Sequence, residues 1–297
     1  MSRPATTIER LDFGRDAARE AVAQAERRAG IQVVQGVDLE QILEAASTWE
    51  RVWSRDNEPP VPAEVLRALV HAGNYLSLAY NGDQVVGALL GFYAGDDSPT
   101  HVHSHIAGVD PAMRGRGVGF ALKLHQRLWT LEHGFDTVRW TYDPLVRANG
   151  YFNIAKLATK GVEYHVNFYG AMPDAINQAD ESDRILVNWD LLADDVEAAA
   201  MGTPREATVE ACQQRGATIA LETGAGGEPV VRDVEGGLLL CHTPDDIVAL
   251  RRERPELARA WRLAVRDVLA AAIGRGLQVS GMTRTGWYVL SPPGVAS

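Results

Sequence analysis

The stretch Val109-Asp110-Pro111-Ala112-Met113-Arg114-Gly115-Arg116-Gly117-Val118-Gly119 decides how this chain is read. It joins an expected strand, Thr100 to Val109, to an expected amphipathic helix, Gly117 to His133. Glycines let main-chain N–H groups converge on a ligand with no Cβ in the way. The start of the helix adds unpaired donors and a partial positive charge, which favour an anion there. Arg114 and Arg116 concentrate positive charge beside that point, although 29 Lys plus Arg against 39 Asp plus Glu leave the whole chain at −10. The physical expectation is a diphosphate binder. A loop that merely caps a helix is the plainer alternative. No Lys-Ser/Thr closes the stretch as a P-loop requires, and it does not open an N-terminal βαβ unit as a dinucleotide site does.

The acidic balance argues against nucleic acid as a partner, because phosphate binding needs a broad basic footprint. The longest apolar run, Val85 to Ala94, is interrupted by Gly87 and Gly91 and falls short of a membrane span. The first 20 residues carry Arg3, Arg10 and Arg15 without an apolar core, unlike a secretory signal. Cys212 and Cys241 cannot build a disulfide framework or a four-ligand zinc site. A cytoplasmic, soluble protein is expected, with no membrane partner, as a monomer or homodimer.

Outward from the central stretch, helical composition over Asp12 to Ala29 stops at Gly30, and Ile31 to Gln35 reads as a strand. Asp38 caps a helix with Leu39, Ile42, Leu43, Ala46, Trp49 and Trp53 at three- and four-residue spacing, a core-facing stripe. Asn57 to Pro62 is a loop and Pro62 to Ala72 a second helix. Tyr75 to Tyr80 and Gln84 to Ala94 flank Asn81-Gly82-Asp83 as a hairpin. Beyond the central helix come a strand over Thr137 to Tyr142, a helix over Ala148 to Thr159, and strands over Tyr164 to Tyr169 and Arg184 to Trp189. Asp190 to Pro204 reads as a linker. Short strands at 217–221, 229–234 and 237–241 follow, then helices at 245–252 and 257–274 and strands at 278–282 and 287–290.

An R-x-x-G-x-G turn after the fourth strand of a β–α–α–β–β–β–α–β order resembles the acyl-CoA-binding turn of the GNAT superfamily of N-acyltransferases. His103-Ser104-His105, Trp140-Thr141-Tyr142-Asp143-Pro144-Leu145 and Arg147-Ala148-Asn149-Gly150-Tyr151-Phe152-Asn153 resemble, more narrowly, the GNAT branch found alongside N-acylamino acid racemases. Tyr164, Ser182-Asp183-Arg184 and Trp261-Arg262 extend that resemblance over roughly 30 to 290. Leu157-Ala158-Thr159 departs from it, the branch more usually reading Leu-Gly-Ala.

The resemblance implies an α/β (α+β) fold, a mixed, mostly antiparallel sheet flanked by helices, with a smaller α+β C-terminal part. The expected division is a helical extension over 1–30, the acyl-CoA-binding catalytic domain over 31–190, a linker over 191–205 and a C-terminal subdomain over 206–297. It implies acyl transfer from acetyl-CoA or succinyl-CoA, as co-substrate, to the primary amine of an amino acid or related small molecule, with no metal. A non-catalytic acyl-CoA-binding module is the rival.

By the same resemblance, main-chain groups of Ala107 and Val109 pair with the pantetheine arm, and those of Arg114, Gly115, Arg116, Gly117, Val118 and Gly119 hold the diphosphate. Asn149 stands where many members bind pantetheine. The tyrosine that protonates the leaving thiolate in many members is replaced by Lys156, leaving Tyr151 or Tyr164 as stand-ins. From the residues themselves, His101, His103 and His105 alternate along one strand and share a face. They suit a general base, His105 foremost, or a zinc site, the reading of a metal hydrolase, or plain structural roles. Arg139, Arg147 and Arg184 are candidates for a substrate carboxylate or for ion pairs. Asp143-Pro144 shapes a turn, and Cys241 belongs to the core.

Overall fold

The computed structural model describes residues 7–53, 59–170 and 180–295, with side chains from Gly14 onward. Asn57 and Glu58 of the expected loop lie outside the described residues. The chain forms two compact units, 1–140 with 190–202 and 141–189 with 203–297.

In the first unit, α1 (Thr7–Ala29) ends at Gly30, whose φ of 65° is the left-handed conformation that a glycine stop provides. β1 (Gln32–Gln35), α2 (Leu39–Trp53), α3 (Ala63–His71), β2 (Tyr75–Asn81), β3 (Gln84–Ala94), β4 (His101–Val109), α4 (Val118–Glu132) and β5 (Thr137–Tyr142) follow. The strands lie in the order β1-β2-β3-β4-β5. The first four pair antiparallel and β5 joins β4 in parallel.

Asp38 caps α2 as expected, its carboxylate accepting from Gln41 N–H at 2.8 Å. The buried stripe of α2 is Ile42, Ala45, Ala46 and Trp49, packed with Leu66 of α3 on Leu76, Leu78, Ala88 and Leu90. Leu39 and Leu43, expected on that stripe, are 59% and 51% exposed, because they lie to one side of its Ile42–Ala46–Trp49 centre. The other face of the sheet carries α4. A Cβ on Gly87 would sit 3.2 Å from Leu122 and Val118 of that helix. α1 packs along α4, where Arg15 donates to Leu131 C=O at 2.9 Å.

The second unit begins after Trp140. α5 (Arg147–Gly150) runs into a π-helical turn at Tyr151–Lys156, where a single helix over 148–159 was expected. Ala158 then takes a left-handed φ of 56° and turns the chain into β6 (Lys160–His165). The expected strand over Tyr164 to Tyr169 is therefore displaced. Residues 166–169 form a turn fixed by side chains, with Asn167 N–H donating to Asp183 and Tyr169 N–H to Ser182 Oγ. β7 (Arg184–Asp190) pairs with β6. The stretch expected as a linker carries a helix, α6 (Asp194–Ala200), and returns to the first unit, where Arg127 binds Leu191 C=O at 2.7 Å. Three acids in its first turn followed by alanines favour that helix.

α7 (Val209–Gln214), β8 (Thr218–Thr223), β9 (Pro229–Val231), β10 (Leu239–His242), α8 (Ile247–Glu253), α9 (Pro255–Gly274), β11 (Gln278–Met282) and β12 (Trp287–Ser291) complete the second unit. Its strands run β7-β6-β11-β12-β10-β8-β9. Cys212 and Cys241 are both buried, and burial raises each thiol.

Candidate active site

β4 is regular up to Ser104 and then changes step. Gly91 of β3 faces Ser104 while Leu90 faces Ile106, so His105 is one residue too many for the ladder, a β-bulge. The bulge exchanges faces. Ser104 points to α4, where it meets Lys123, whereas Gly108 lies against α2, where an added Cβ would sit 2.8 Å from Trp49 and Trp53. Those tryptophans are packing residues, as the helical spacing suggests. Trp49 is fully buried and its Nε1 donates to Ala88 C=O at 3.1 Å.

The other edge of β4 opens at the same point. β5 pairs with it at Val102↔Val138 and His103↔Arg139, and no further pairing joins them among the described residues. Asp110 N–H donates to Val86 C=O at 2.9 Å, so antiparallel alternation turns the main chain of Gly108 to β3 as well. The N–H and C=O of Ala107 and Val109 accordingly face away from β3, along the edge that β5 leaves.

The turn after β4 is built by Asp110, whose carboxylate accepts from Ala112 N–H at 2.9 Å and starts a 3-10 turn over Pro111–Met113. Gly115 and Gly117 have φ of 78° and 90°, which side chains with a Cβ avoid. Gly117 precedes α4 with no side-chain cap, so the first N–H groups of the helix, Val118, Gly119 and Phe120, have no intrahelical acceptor. Arg114, Gly115, Arg116 and Gly117 are all exposed. The Arg114 and Arg116 N–H groups bend back to the Pro111 and Met113 carbonyls, so the turn offers its remaining main-chain donors and two exposed guanidiniums at the end of the open edge.

His101, His103 and His105 share a face, as the alternation predicts. The rings of His103 and His105 stand 6.1 Å apart, 5.0 and 5.7 Å from Phe92. Burial pushes His103 down to about 4, helped by His105, His101 and Lys123, and burial lowers His105 too. His101 is lowered by burial and by Arg139. All three are therefore uncharged near neutrality and able to accept a proton. No group of three metal-ligating side chains forms among the described residues.

Asn149, Tyr151 and Tyr164 lie in the second unit. Asn149 is exposed on α5, and the Tyr151 ring lies 5.4 Å from the Arg284 guanidinium. Tyr164 donates to Asp183 at 2.7 Å; burial and that carboxylate raise its hydroxyl, the reverse of what an acid needs. Lys156 is exposed. Arg147 is paired with Asp245 and Thr243 C=O, and Arg184 lies 5.3 Å over the Tyr169 ring.

Two further motif residues, Asp143 and Asp183, are each held by buried or half-buried arginines. Arg262 grips Asp143 with two hydrogen bonds of 2.9 Å, and Arg251 adds a third of 2.7 Å. Burial alone would raise the Asp143 carboxyl, but the two guanidiniums prevail and hold it at about 2. Its Oδ1 also accepts from Leu145 N–H at 2.9 Å, the expected turn. Arg266 grips Asp183 in the same two-pronged way, both bonds 2.8 Å.

Sequence reasoning missed Lys123 and Phe92. Phe92 stands opposite His103 in the ladder, so a register for the β3–β4 hairpin would have exposed it. Lys123 lies on a helix whose charged positions read as solvent-facing, and no local signal marks its burial.

Residues 10–152, just under half of the chain, match the family model described as an acetyltransferase (GNAT) domain. The class follows: this stretch is a GNAT acetyltransferase domain, with the mixed, mostly antiparallel sheet flanked by helices. By that domain the protein is an enzyme, an acyltransferase that draws on acyl-CoA. No curated protein matches the chain.

Similar solved structures include an N-acetyltransferase from Staphylococcus aureus Mu50, at 13% identity over 54% of this chain and 98% of that one, TM-score 0.45. The ribosomal-protein-S18-alanine N-acetyltransferase from Escherichia coli is 12% identical over 54% and 94% of the two chains, TM-score 0.43. An acetyltransferase of the GNAT family from Streptococcus pneumoniae is 10% identical over 53% and 98%, TM-score 0.43.

Proposed function

We propose that the protein transfers an acetyl or succinyl group from acyl-CoA to the primary amine of an amino acid or a related small molecule. The observation that carries this reading is the open edge of β4, with Ala107 and Val109 turned outward and the donor-rich turn at its end. The diphosphate binds the N–H groups of Gly115, Gly117, Val118 and Gly119 with the Arg114 and Arg116 side chains beside it, and the pantetheine amides pair with Val109 and Ala107 like an added strand. That order brings the thioester to His105. The bulge leaves the His105 main chain outside the β3 ladder, open to polarise the thioester carbonyl.

The amine nitrogen attacks the thioester carbon, forming the C–N bond, and the C–S bond breaks. His105 accepts the proton that the nitrogen sheds and returns it to the departing sulfur, so amide and free CoA thiol form with protons balanced. One histidine serves as base and then acid, and no tyrosine is required at the Lys156 position. The roles implied for Asn149 and Tyr151 join the proposal on the resemblance alone, as do the amino-acid acceptor and the succinyl group. A cytoplasmic setting suits two reduced, buried cysteines. Among the described residues no helix is long and apolar enough to cross a membrane.

The test is thiol release from acetyl-CoA and succinyl-CoA against a panel of amino acids and polyamines. Turnover with at least one amino acid is expected. Tight CoA binding without turnover on any amine would instead favour a non-catalytic acyl-CoA-binding module.

A further inference from the structure

Lys123 is a buried lysine that no carboxylate contacts among the described residues. It is 4% exposed, and burial lowers its ammonium well below the ordinary lysine range. Its Nζ donates to Ser104 Oγ at 2.7 Å and to Gln126 Oε1 at 3.2 Å, and lies 3.6 Å from the centre of the Trp140 ring. Burying an amine this way is costly, and two neutral hydrogen bonds with one aromatic face return only part of that cost.

The position of those partners gives the burial a purpose. The β4–β5 ladder ends at His103↔Arg139, and Ser104 and Trp140 are the next residue on each strand. Lys123 therefore reaches from α4 to the point where the two strands part. If the coenzyme lies along β4 with its diphosphate at the turn and its thioester at His105, the acyl carbons run on toward Ser104 and Trp140.

We infer that Lys123, held between Ser104 and Trp140, is the end wall of the acyl cleft and sets the length of acyl chain the enzyme accepts. The inference rests on the acyl-CoA reading above. A wall ending in a polar atom at the fork admits a short acyl group and excludes an alkyl tail. Shortening the side chain opens space beside Trp140 and Ser104.

Calorimetric titration with CoA and with acetyl-, butyryl-, hexanoyl- and octanoyl-CoA tests this without knowledge of the amine. The wild type is expected to bind acetyl-CoA and to lose affinity as the chain lengthens. Lys123→Ala and Lys123→Leu are expected to move the cut-off to longer chains, gaining about fourfold for each added methylene that becomes buried. Lys123→Met, which keeps the length of the side chain, is expected to keep the wild-type cut-off; it also shows whether loss of the amine alone disturbs folding. Identical chain-length profiles in the wild type and the shortened variants, all binding CoA, would overturn the end wall and leave the acyl-CoA reading standing. Failure of the wild type to bind CoA at all would overturn that reading and the wall with it.

Discussion

His103 and His105 stand with their rings 6.1 Å apart, both against Phe92, at the bulge where β4 parts from β5. The bulge puts His105 outside the ladder and leaves His103 as the last residue paired with β5. In the proposed reaction this separates their tasks, with His105 at the reacting group and His103 behind it.

Replacing His105 by Ala is expected to lower kcat by roughly 100-fold, the lower end for loss of a general base, with the KM for acyl-CoA little changed. Steady-state kinetics on the acceptor found in the thiol-release panel measures it. An unchanged kcat would remove His105 from the proton path.

The depressed His103 makes stability depend on pH. Its folded value of about 4 lies below the ordinary 6.5, so the unfolded chain takes up the proton first. The stability it contributes is complete above 6.5 and is lost as pH falls through the window down to about 4. Thermal melts across that range should show a shallower decline for His103→Gln than for the wild type. Parallel curves would contradict the burial argument.

Ala158 occupies a left-handed φ of 56°, a conformation that costs a residue with a Cβ about 1–2 kcal/mol. Ala158→Gly is expected to stabilise the protein by up to about 1 kcal/mol, part of the gain being offset by the greater freedom of glycine in the unfolded chain. Denaturant unfolding reads the sign directly.

Asp143 is buried with Arg262 and Arg251 on its two oxygens. Asp143→Asn leaves two buried guanidiniums short of charge and is expected to cost about 3–5 kcal/mol. Denaturant midpoints measure the loss. A small effect would mean that Asp180, which also contacts both arginines, suffices to neutralise them.

The first unit was largely legible because its signals are local. Gly30, Asp38, Gly115 and Gly117 act through their own backbone or the next turn, Asn81-Gly82 marks the turn between the buried runs of β2 and β3, and β4 alternates. The bulge was hidden because one inserted residue leaves the alternation on either side intact. Val166 to Tyr169 looks like strand but is bent by Ser182 and Asp183, which no local rule connects to it. The burial of Lys123 depends on Ser104 and Trp140, each more than ten residues away in the chain. The two-pronged grip of Arg262 on Asp143 shows why motif residues so far apart appear together, yet neither letter reveals the other as its partner.

In the proposed complex the outward main chain of Ala107 and Val109 receives the coenzyme arm. Amide hydrogen exchange, resolved by residue with and without acetyl-CoA, reads this contact. The Ala107 and Val109 amides are expected to gain protection when acetyl-CoA binds, while Gly108 and Asp110, already turned to β3, change little. Protection confined to other strands, or unchanged exchange at Ala107 and Val109 in a saturated complex, would contradict it.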